Sequence, residues 1–211
     1  MTRRLDLGAY LALTDEALSR TARTGFADPG RNEGKREATT NGAALQALLS
    51  RNREIARTFI DWRRSVVPNS ADEIYSDAVT LGHIANLGIT SGGLFRAWAY
   101  ECPAVGGGAV PVNRISTEML RLAERCARMQ DAGEEQQRAT IAEAEWEIGI
   151  GPLHPFYDAC GRVSRYFSTL LSLRTGTALP LYDSRSDYMD AATAGLSAFT
   201  DYRNRRLTIR L

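Results

Sequence analysis

Apolar residues recur every three or four positions along most of the chain, which is the spacing of helices that bury one face. The stretch 41–64 shows this spacing clearly, and Pro68 follows soon after its end. The apolar residues that fall near one face of it are Leu45, Leu48, Leu49, Ile55, Phe59 and Trp62. We predict a helix here that buries this face against a core.

A second helix is predicted at 70–88, because Ser70 and Glu73 stand at the spacing of a capping box. Its buried side is expected to carry Ile74, Ala78, Leu81 and Ala85. The same period predicts helices at 116–131, 134–148, 162–174 and 186–203, and Gly176 is expected to end the helix at 162–174. The pattern therefore predicts a mainly α-helical bundle.

One segment breaks the helical period. Positions 94–101 are rich in aromatic residues and favour extended backbone, and Gly106, Gly107, Gly108 and Pro111 follow with the residues of turns. We expect a short β-hairpin there.

The N-terminal third of the chain is less regular. Positions 23–40 combine glycine, proline and charge without any period, which is typical of a loop or a mobile linker. We expect one domain, with an N-terminal helical segment at 1–69 and a core at 70–211. No internal repeat is present in the sequence.

Composition excludes several classes of function. The chain has 211 residues and, with 26 Lys+Arg against 25 Asp+Glu, a formal net charge of +1, so neither nucleic acid nor a membrane surface is an expected partner. Cys102, Cys126 and Cys160 lack CxxC spacing and fit free thiols in a reducing compartment. Asp6 interrupts the first apolar residues, and no apolar run reaches about 18 residues, so we expect a cytoplasmic protein that does not span a membrane.

Candidate chemistry is concentrated in the stretch "LHPFYDACGRVSRYFSTLL", which covers 153–171. Pro155 disfavours helical backbone at His154, so the imidazole is expected on an extended turn, where it can take a proton from a hydroxyl. Ala159, Cys160 and Gly161 fall at the predicted start of the next helix, where unpaired backbone N–H groups favour an anion. These residues predict a phosphate cradle.

Three charged residues extend this prediction. Arg162 and Arg165 are three positions apart in the first turns of the helix, which suits a clamp on neighbouring phosphates. Asp158 can hold a Mg²⁺ through one carboxylate, with phosphate oxygens and water completing the shell. Each residue also has a simpler interpretation: His154 as a solvent-facing loop residue, Asp158 as a helix N-cap, and the arginines as a solvated face.

The stretch resembles the signature of the Fic (filamentation induced by cAMP) family, HPFx[D/E]GN[G/K]RxxR. The matched residues are His154, Pro155, Phe156, Asp158, Gly161, Arg162 and Arg165. The resemblance covers roughly 74–202 and implies a Fic-like helical bundle with a β-hairpin flap beside the active site. The residues "GGLFRAWAY" stand where the family has this flap, so Gly93, Leu94, Phe95 and Arg96 are expected to contact a target segment by strand addition. The alternative is that the hairpin around Arg96 only caps the bundle.

The resemblance also implies an activity, the transfer of AMP from ATP or another nucleotide to a hydroxyl of a protein target. It makes His154 the general base and Phe156 an anchor of the loop in the core. It makes Asp158 the Mg²⁺ ligand, and Arg162 and Arg165 the phosphate ligands. The family's inhibitory pattern, [S/T]xxxE[G/N], has no match here, so regulation is expected from a separate inhibitory partner or from the cradle itself.

Two residues depart from the family signature. Ala159 replaces a glycine, as in relatives such as the Doc toxin kinase, and Cys160 replaces the asparagine. A cysteine at a helix N-terminus is expected to have a lowered pKa, and its thiolate would repel phosphate. Phosphotransfer, an altered donor, or catalytically inactive nucleotide binding therefore remain alternatives. His83 is expected to be a packed core histidine outside the site.

Overall fold

The computed structural model describes residues 5–18, 42–68, 70–89, 94–104 and 108–211. Its helices are α1 (Leu7–Leu18), α2 (Gly42–Arg63), α3 (Ala71–Asn86), α4 (Ile115–Arg128), α5 (Glu134–Gly149), α6 (Cys160–Thr175), α7 (Arg185–Thr193) and α8 (Leu196–Asn204). Short 3₁₀ turns at Val112–Arg114 and Met129–Asp131 flank α4. Strand β1 (Leu179–Pro180) pairs antiparallel with β2 (Leu207–Ile209). The prediction of a mainly helical protein is confirmed, whereas the predicted loop at 23–40 lies outside the described residues.

Helix α3 forms as its sequence predicts. The hydroxyl of Ser70 accepts a hydrogen bond from the amide of Glu73 at 3.3 Å, which satisfies one of the first free N–H groups of the helix. The four residues of the predicted buried side, Ile74, Ala78, Leu81 and Ala85, are all buried. The left-handed Gly176 that ends α6 is likewise confirmed.

Helix α2 buries a different face from the predicted one. Ile55 and Trp62 are 37% and 62% exposed, and the buried positions are Asn52, Ala56 and Ile60. The amide nitrogen of Asn52 donates to the carbonyl of Leu87 at 2.9 Å, which satisfies an orphan carbonyl at the end of α3. This bond and the small Ala56 set the contact face, so the prediction of a buried Leu45-to-Trp62 stripe is wrong.

The predicted helix at 186–203 is two helices. Gly195, with φ at 106°, separates α7 from α8, and this backbone conformation is one that residues with a Cβ rarely adopt. The break lets Tyr182, Tyr188, Phe199 and Tyr202 form one aromatic cluster with Trp146 of α5.

The predicted β-hairpin flap is absent from the described part of 94–110, which contains no strand pair. Phe95 instead forms an isolated antiparallel bridge with Phe156. The hydrogen-bonding groups that a hairpin would use are thus taken by the loop ahead of α6.

The main core is built around α5 and α6. Leu11 of α1 and Ile60 of α2 belong to the same cluster of buried residues as Leu81 of α3 and Phe167 of α6. Side chains from both sides of residue 69 therefore share one core. No helix within the described ranges is long and apolar enough to cross a membrane.

A fully buried ion pair ties α5 to α8. The Nε of Arg203 lies 3.0 Å from Oε2 of Glu145, and both side chains are completely inaccessible. The carboxylate of Glu145 also accepts hydrogen bonds from the hydroxyls of Ser168 on α6, at 2.9 Å, and Tyr182, at 2.6 Å. Because every added partner offsets part of the cost of burying the two charges, this network fixes α5, α6 and α8 relative to one another.

Candidate active site

The candidate residues lie on the loop that joins α5 to α6. His154 and Ala159 both have positive φ, at 29° and 62°, in the region that favours glycine. Conformations of this kind cost on the order of 1–3 kcal/mol each and persist only where the surroundings enforce them. Such strain is a feature of functional sites, so the contacts that enforce it are informative.

The last turn of α5 holds the imidazole of His154. Its Nδ1 lies 3.0 Å from the carbonyl oxygen of Gly149, and its backbone amide donates to the carbonyl of Glu147 at 3.0 Å. A carbonyl can only accept, so Nδ1 carries the proton and the neutral ring has its lone pair on Nε2. This is the tautomer that a general base needs when Nε2 faces its substrate.

The aromatic residues at 95–100 pack on the same loop. The Phe95 ring stacks on Phe156 at 5.8 Å, Trp98 meets Tyr157 edge-on at 4.7 Å, and Tyr100 stacks on His154 at 4.0 Å between ring centroids. The segment that the sequence assigned to a target-binding flap therefore covers the loop itself.

Backbone pairing shows the same arrangement. The amide of Arg96 donates to Pro155 at 2.9 Å, and the amide of Tyr157 donates to Leu94 at 2.8 Å. Leu94 and Phe95 are half-buried, and Gly93 lies outside the described residues. A target that adds a strand at this edge could not use the carbonyl of Leu94 or the amide of Arg96, because both are already bonded to the loop.

Arg96 points inward and is 1% exposed. Its guanidinium donates to the carbonyls of His154 at 2.9 Å, Trp98 at 2.8 Å and Leu153 at 3.4 Å, and also to that of Val110. Burial lowers its pKa. Arg96 therefore organises the backbone around His154, a role that its sequence position did not suggest.

Phe156 is buried against α3, as the motif implies for an anchor. Gly82 makes this possible, because a Cβ at Gly82 would lie 2.3 Å from Cε1 of Phe156. One turn further, the amide nitrogen of Asn86 donates to the carbonyl of Asp158 at 3.0 Å. Helix α3 thus holds the second half of the loop at two positions.

We expect Gly82→Ala to push Phe156 out of its site and to destabilise the protein by about 1–3 kcal/mol, the usual cost of overpacking. The displaced ring should also perturb the ¹⁵N signals of His154, two residues earlier. Urea denaturation and an NMR spectrum measure the two effects. The control is Gly133→Ala, since nothing lies within 4 Å of a Cβ there, and equal stability of the two variants would contradict the close contact.

Asp158 is half-buried, and its Oδ1 accepts a hydrogen bond from the amide of Ala159 at 2.6 Å. The N-cap of α6 is Ala159, which provides no side-chain cap. Within the described ranges, no three His, Cys, Asp or Glu side chains form a metal cluster. A single carboxylate at this position is nevertheless the donor set expected for a Mg²⁺ that phosphates and water complete.

Cys160 does not behave as its position in the sequence suggests. It is 3% exposed, and its Sγ accepts from the amide of Phe156 at 3.3 Å and donates to the carbonyl of Phe156 at 3.4 Å. Burial raises the pKa of the Cys160 thiol. The expectation of a thiolate is therefore wrong, because the sulfur faces the loop interior, and the neutral thiol does not repel an anion.

The two arginines of the motif differ in environment. Arg165 is 8% exposed, donates to the carbonyl of Gly161 at 2.6 Å and forms an ion pair with Asp15 of α1 at 3.1 Å. Asp15 also accepts from the hydroxyl of Tyr166 at 2.8 Å, and burial, followed by this carboxylate, raises the pKa of Tyr166. Arg165 thus already has an anionic partner within the chain.

Arg162 is half-exposed, and its guanidinium has no hydrogen bond or ion pair within the described residues. The neighbouring amide of Gly161 has no acceptor there either, as expected for the first turn of α6. Gly161 and Arg162 therefore supply an amide and a cation that can face an external anion.

Sequence reasoning missed three residues of the site: Asp15, Asn86 and Tyr100. Asp15 bonds Arg165 of α6 from 150 positions away, and Asn86 bonds Asp158 of the loop from 72 positions away, so no local pattern reveals them. Tyr100 belongs to the aromatic segment that was assigned to the flap. His83, expected in the core, is exposed near the end of α3 and away from the buried side of that helix.

Comparison of the chain with protein-family models, with curated proteins and with solved structures finds no match.

Proposed function

We propose that this protein is a Fic-type transferase that moves AMP, or another phosphate-containing group, from a Mg²⁺-bound nucleotide to a hydroxyl of a protein target. The observation that carries the proposal is the hydrogen bond of His154. Its Nδ1–H donates to the carbonyl of Gly149, and its loop leads directly into the first turn of α6, which contains Gly161 and Arg162. A base and an anion site in this order, within the motif HPFYDACGRVSR, suit transfer of a phosphate group to a hydroxyl.

The chemistry follows from these groups. Nε2 of His154 takes the proton of the acceptor hydroxyl as its oxygen attacks the α-phosphorus, and the bond from that phosphorus to the bridging oxygen breaks, so that pyrophosphate leaves. The amide of Gly161 and the guanidinium of Arg162 bind the donor phosphate oxygens. Asp158 is the residue that would hold Mg²⁺, which neutralises phosphate charge when bound.

Arg165 favours a second candidate, a nucleotide-binding protein with altered or absent transfer. Asp15 neutralises the charge of Arg165. A phosphate must therefore displace the Asp15 carboxylate from Arg165, or share the guanidinium with it, before the arginine can bind the phosphate. Attack at the γ-phosphorus, which releases the nucleoside diphosphate, is the corresponding phosphotransferase reaction.

Intact-mass spectrometry separates these functions. The protein is incubated with Mg²⁺ and a panel of nucleoside triphosphates and nucleotide conjugates, with and without a cell extract that supplies targets. Adenylylation, phosphorylation and transfer of another group add different masses to the modified protein. Phosphorylation would support the second candidate with altered transfer, and nucleotide binding in calorimetry without any transfer would support it with absent transfer.

Arg162→Ala is expected to weaken nucleotide binding by about 1.5–3 kcal/mol, or roughly 10- to 150-fold in Kd, because it removes a charge-assisted phosphate contact. Titration calorimetry with Mg²⁺-ATP measures this loss. Arg162 is a cleaner test than Arg165, whose removal also leaves Asp15 without its ion pair. Arg128→Ala, an exposed arginine at the end of α4, is the matched control, and wild-type affinity of Arg162→Ala for every nucleotide would remove this residue from the site.

A further inference from the structure

The ring of Tyr100 lies flat on the imidazole of His154. Their centroids are 4.0 Å apart and their planes differ by 10°. The Tyr100 hydroxyl donates to the carbonyl of Ile150 at 3.1 Å, which fixes the far end of the ring. Tyr100 is therefore anchored at its hydroxyl and at its face.

Two of the contacts that hold the imidazole of His154 differ in kind. The bond from Nδ1 to the carbonyl of Gly149 fixes one atom of the imidazole but does not by itself prevent the plane of the ring from tilting. A stacked ring restricts this tilt, because it holds the whole plane. The carbonyls that anchor the two rings belong to adjacent residues, Gly149 and Ile150, so both supports start from the end of α5.

Arg96 supports the same arrangement. Its Nε donates to the carbonyl of His154 at 2.9 Å, and its Cζ lies 6.0 Å from the centroid of the Tyr100 ring. No carboxylate pairs with Arg96 in the described part of the chain. A buried guanidinium is costly without such a partner, so its bonds to backbone carbonyls around His154 indicate that the shape of this loop matters to the protein.

We infer that Tyr100 is the positioning residue of His154, and that its ring holds the imidazole plane so that Nε2 faces the acceptor hydroxyl. This inference rests on the proposed function, in which His154 is the general base. Removal of the ring should lower kcat, because Nε2 then points at the hydroxyl in only a fraction of the molecules. The KM for the nucleotide should not change, because the phosphate contacts lie on α6.

Tyr100→Leu is therefore expected to lower kcat for transfer by about 10- to 100-fold, the effect of a small misplacement of a reacting group. Tyr100→Phe keeps the ring and should retain most of the activity. Tyr75→Leu, at a half-buried tyrosine of α3 outside the site, is the control for general destabilisation. If Tyr100→Leu does not fold, Tyr100→Met replaces it with a flexible side chain of similar length.

An NMR measurement tests the positioning without any assay of transfer. The chain has 2 histidines, and the exposed His83 provides an internal reference. In the neutral wild-type protein, the ¹⁵N shifts of His154 should report a proton on Nδ1. In Tyr100→Leu the loosened ring should bond the carbonyl of Gly149 in a smaller fraction of the molecules, so the ¹⁵N shifts should move toward the Nε2-protonated form that free histidine prefers. Tyr100→Phe should keep the wild-type pattern.

The kinetic and the NMR measurements distinguish failure of the proposed function from failure of the positioning role. If wild-type protein transfers no group from any donor, the proposed function is wrong, and the ¹⁵N shifts still decide whether Tyr100 orients His154. If transfer occurs but Tyr100→Leu keeps both the wild-type kcat and the wild-type ¹⁵N pattern, the positioning role is wrong. A loss of kcat equal to that of Tyr75→Leu, with unchanged ¹⁵N shifts, would also overturn it.

Discussion

Replacing His154 with alanine should lower the rate of transfer by about 10² to 10⁴-fold, which is the usual contribution of a general acid–base residue. The variant should still fold, because the imidazole is half-buried and does not belong to the main cluster of buried core residues. Its affinity for nucleotide should also persist, because the proposed phosphate contacts lie at Gly161 and Arg162. The expected result is thus a loss of kcat at constant nucleotide Kd.

His83→Ala is the matched control for this experiment. It removes the other histidine of the chain, which is exposed near the end of α3 and outside the site. Transfer rates come from intact-mass time courses with the donor that the nucleotide panel identifies, and calorimetry gives the Kd of each variant. Equal, measurable turnover by His154→Ala and wild-type protein would exclude His154 as the base.

The fold was most predictable where a capping residue and the apolar spacing indicate the same helix and the same buried side. In α3, the Ser70 cap and the buried side of Ile74 and Leu81 depend on residues within a few turns, and the structure confirms them. In α2, the apolar residues do recur at helical spacing. The face that is buried, however, is set by the bond from Asn52 to Leu87, a contact across 35 positions. Periodicity identifies the faces of a helix and does not say which face finds a partner.

Within the site, sequence reasoning identified the contiguous residues and misjudged their environments. The motif correctly predicted a loop that leads into the first turn of a helix. It did not show that Cys160 turns its sulfur into the protein, where the loss of hydration outweighs the favourable helix end and raises the thiol pKa. Nor did it show that Asp15 reaches Arg165, since ion pairs between distant segments leave no periodic signal.

The aromatic segment at 94–101 shows a third kind of limit. Its composition favours extended backbone, and Phe95 does make a bridge, but with Phe156 and not with a strand of its own hairpin. The preference for extended backbone was identified from sequence, whereas the pairing partner depends on how the α5–α6 loop packs. As a result, the segment packs on His154, where a target was expected to bind.

The same packing that supports His154 depends on the buried pair between Glu145 and Arg203. Glu145 is four residues before Gly149 on α5, and its carboxylate receives hydrogen bonds from α6, at Ser168, and from α8, at Arg203. The pair therefore ties α5 to α8, and the bond from Ser168 ties the same carboxylate to α6, the helix that begins at Cys160. Its loss should affect both stability and the alignment of the site.

Glu145→Met should lower the free energy of unfolding by about 3–5 kcal/mol, because it leaves the Arg203 guanidinium buried without a counter-charge. The double variant Glu145→Met/Arg203→Met should recover part of that loss, since two apolar side chains of similar volume leave no unpaired charge in the interior. Urea denaturation of the single and double variants measures both effects.

The matched control is Glu118→Met, which breaks the ion pairs to Arg114 and Arg121 at the surface, where each arginine side chain is 53% exposed. Surface pairs contribute about 0–1 kcal/mol because water already solvates both charges, so this variant should remain close to wild type. A loss in Glu145→Met no larger than that in Glu118→Met would show that the Glu145 network does not hold the helices. A double variant less stable than Glu145→Met would show instead that Arg203 is satisfied without its carboxylate.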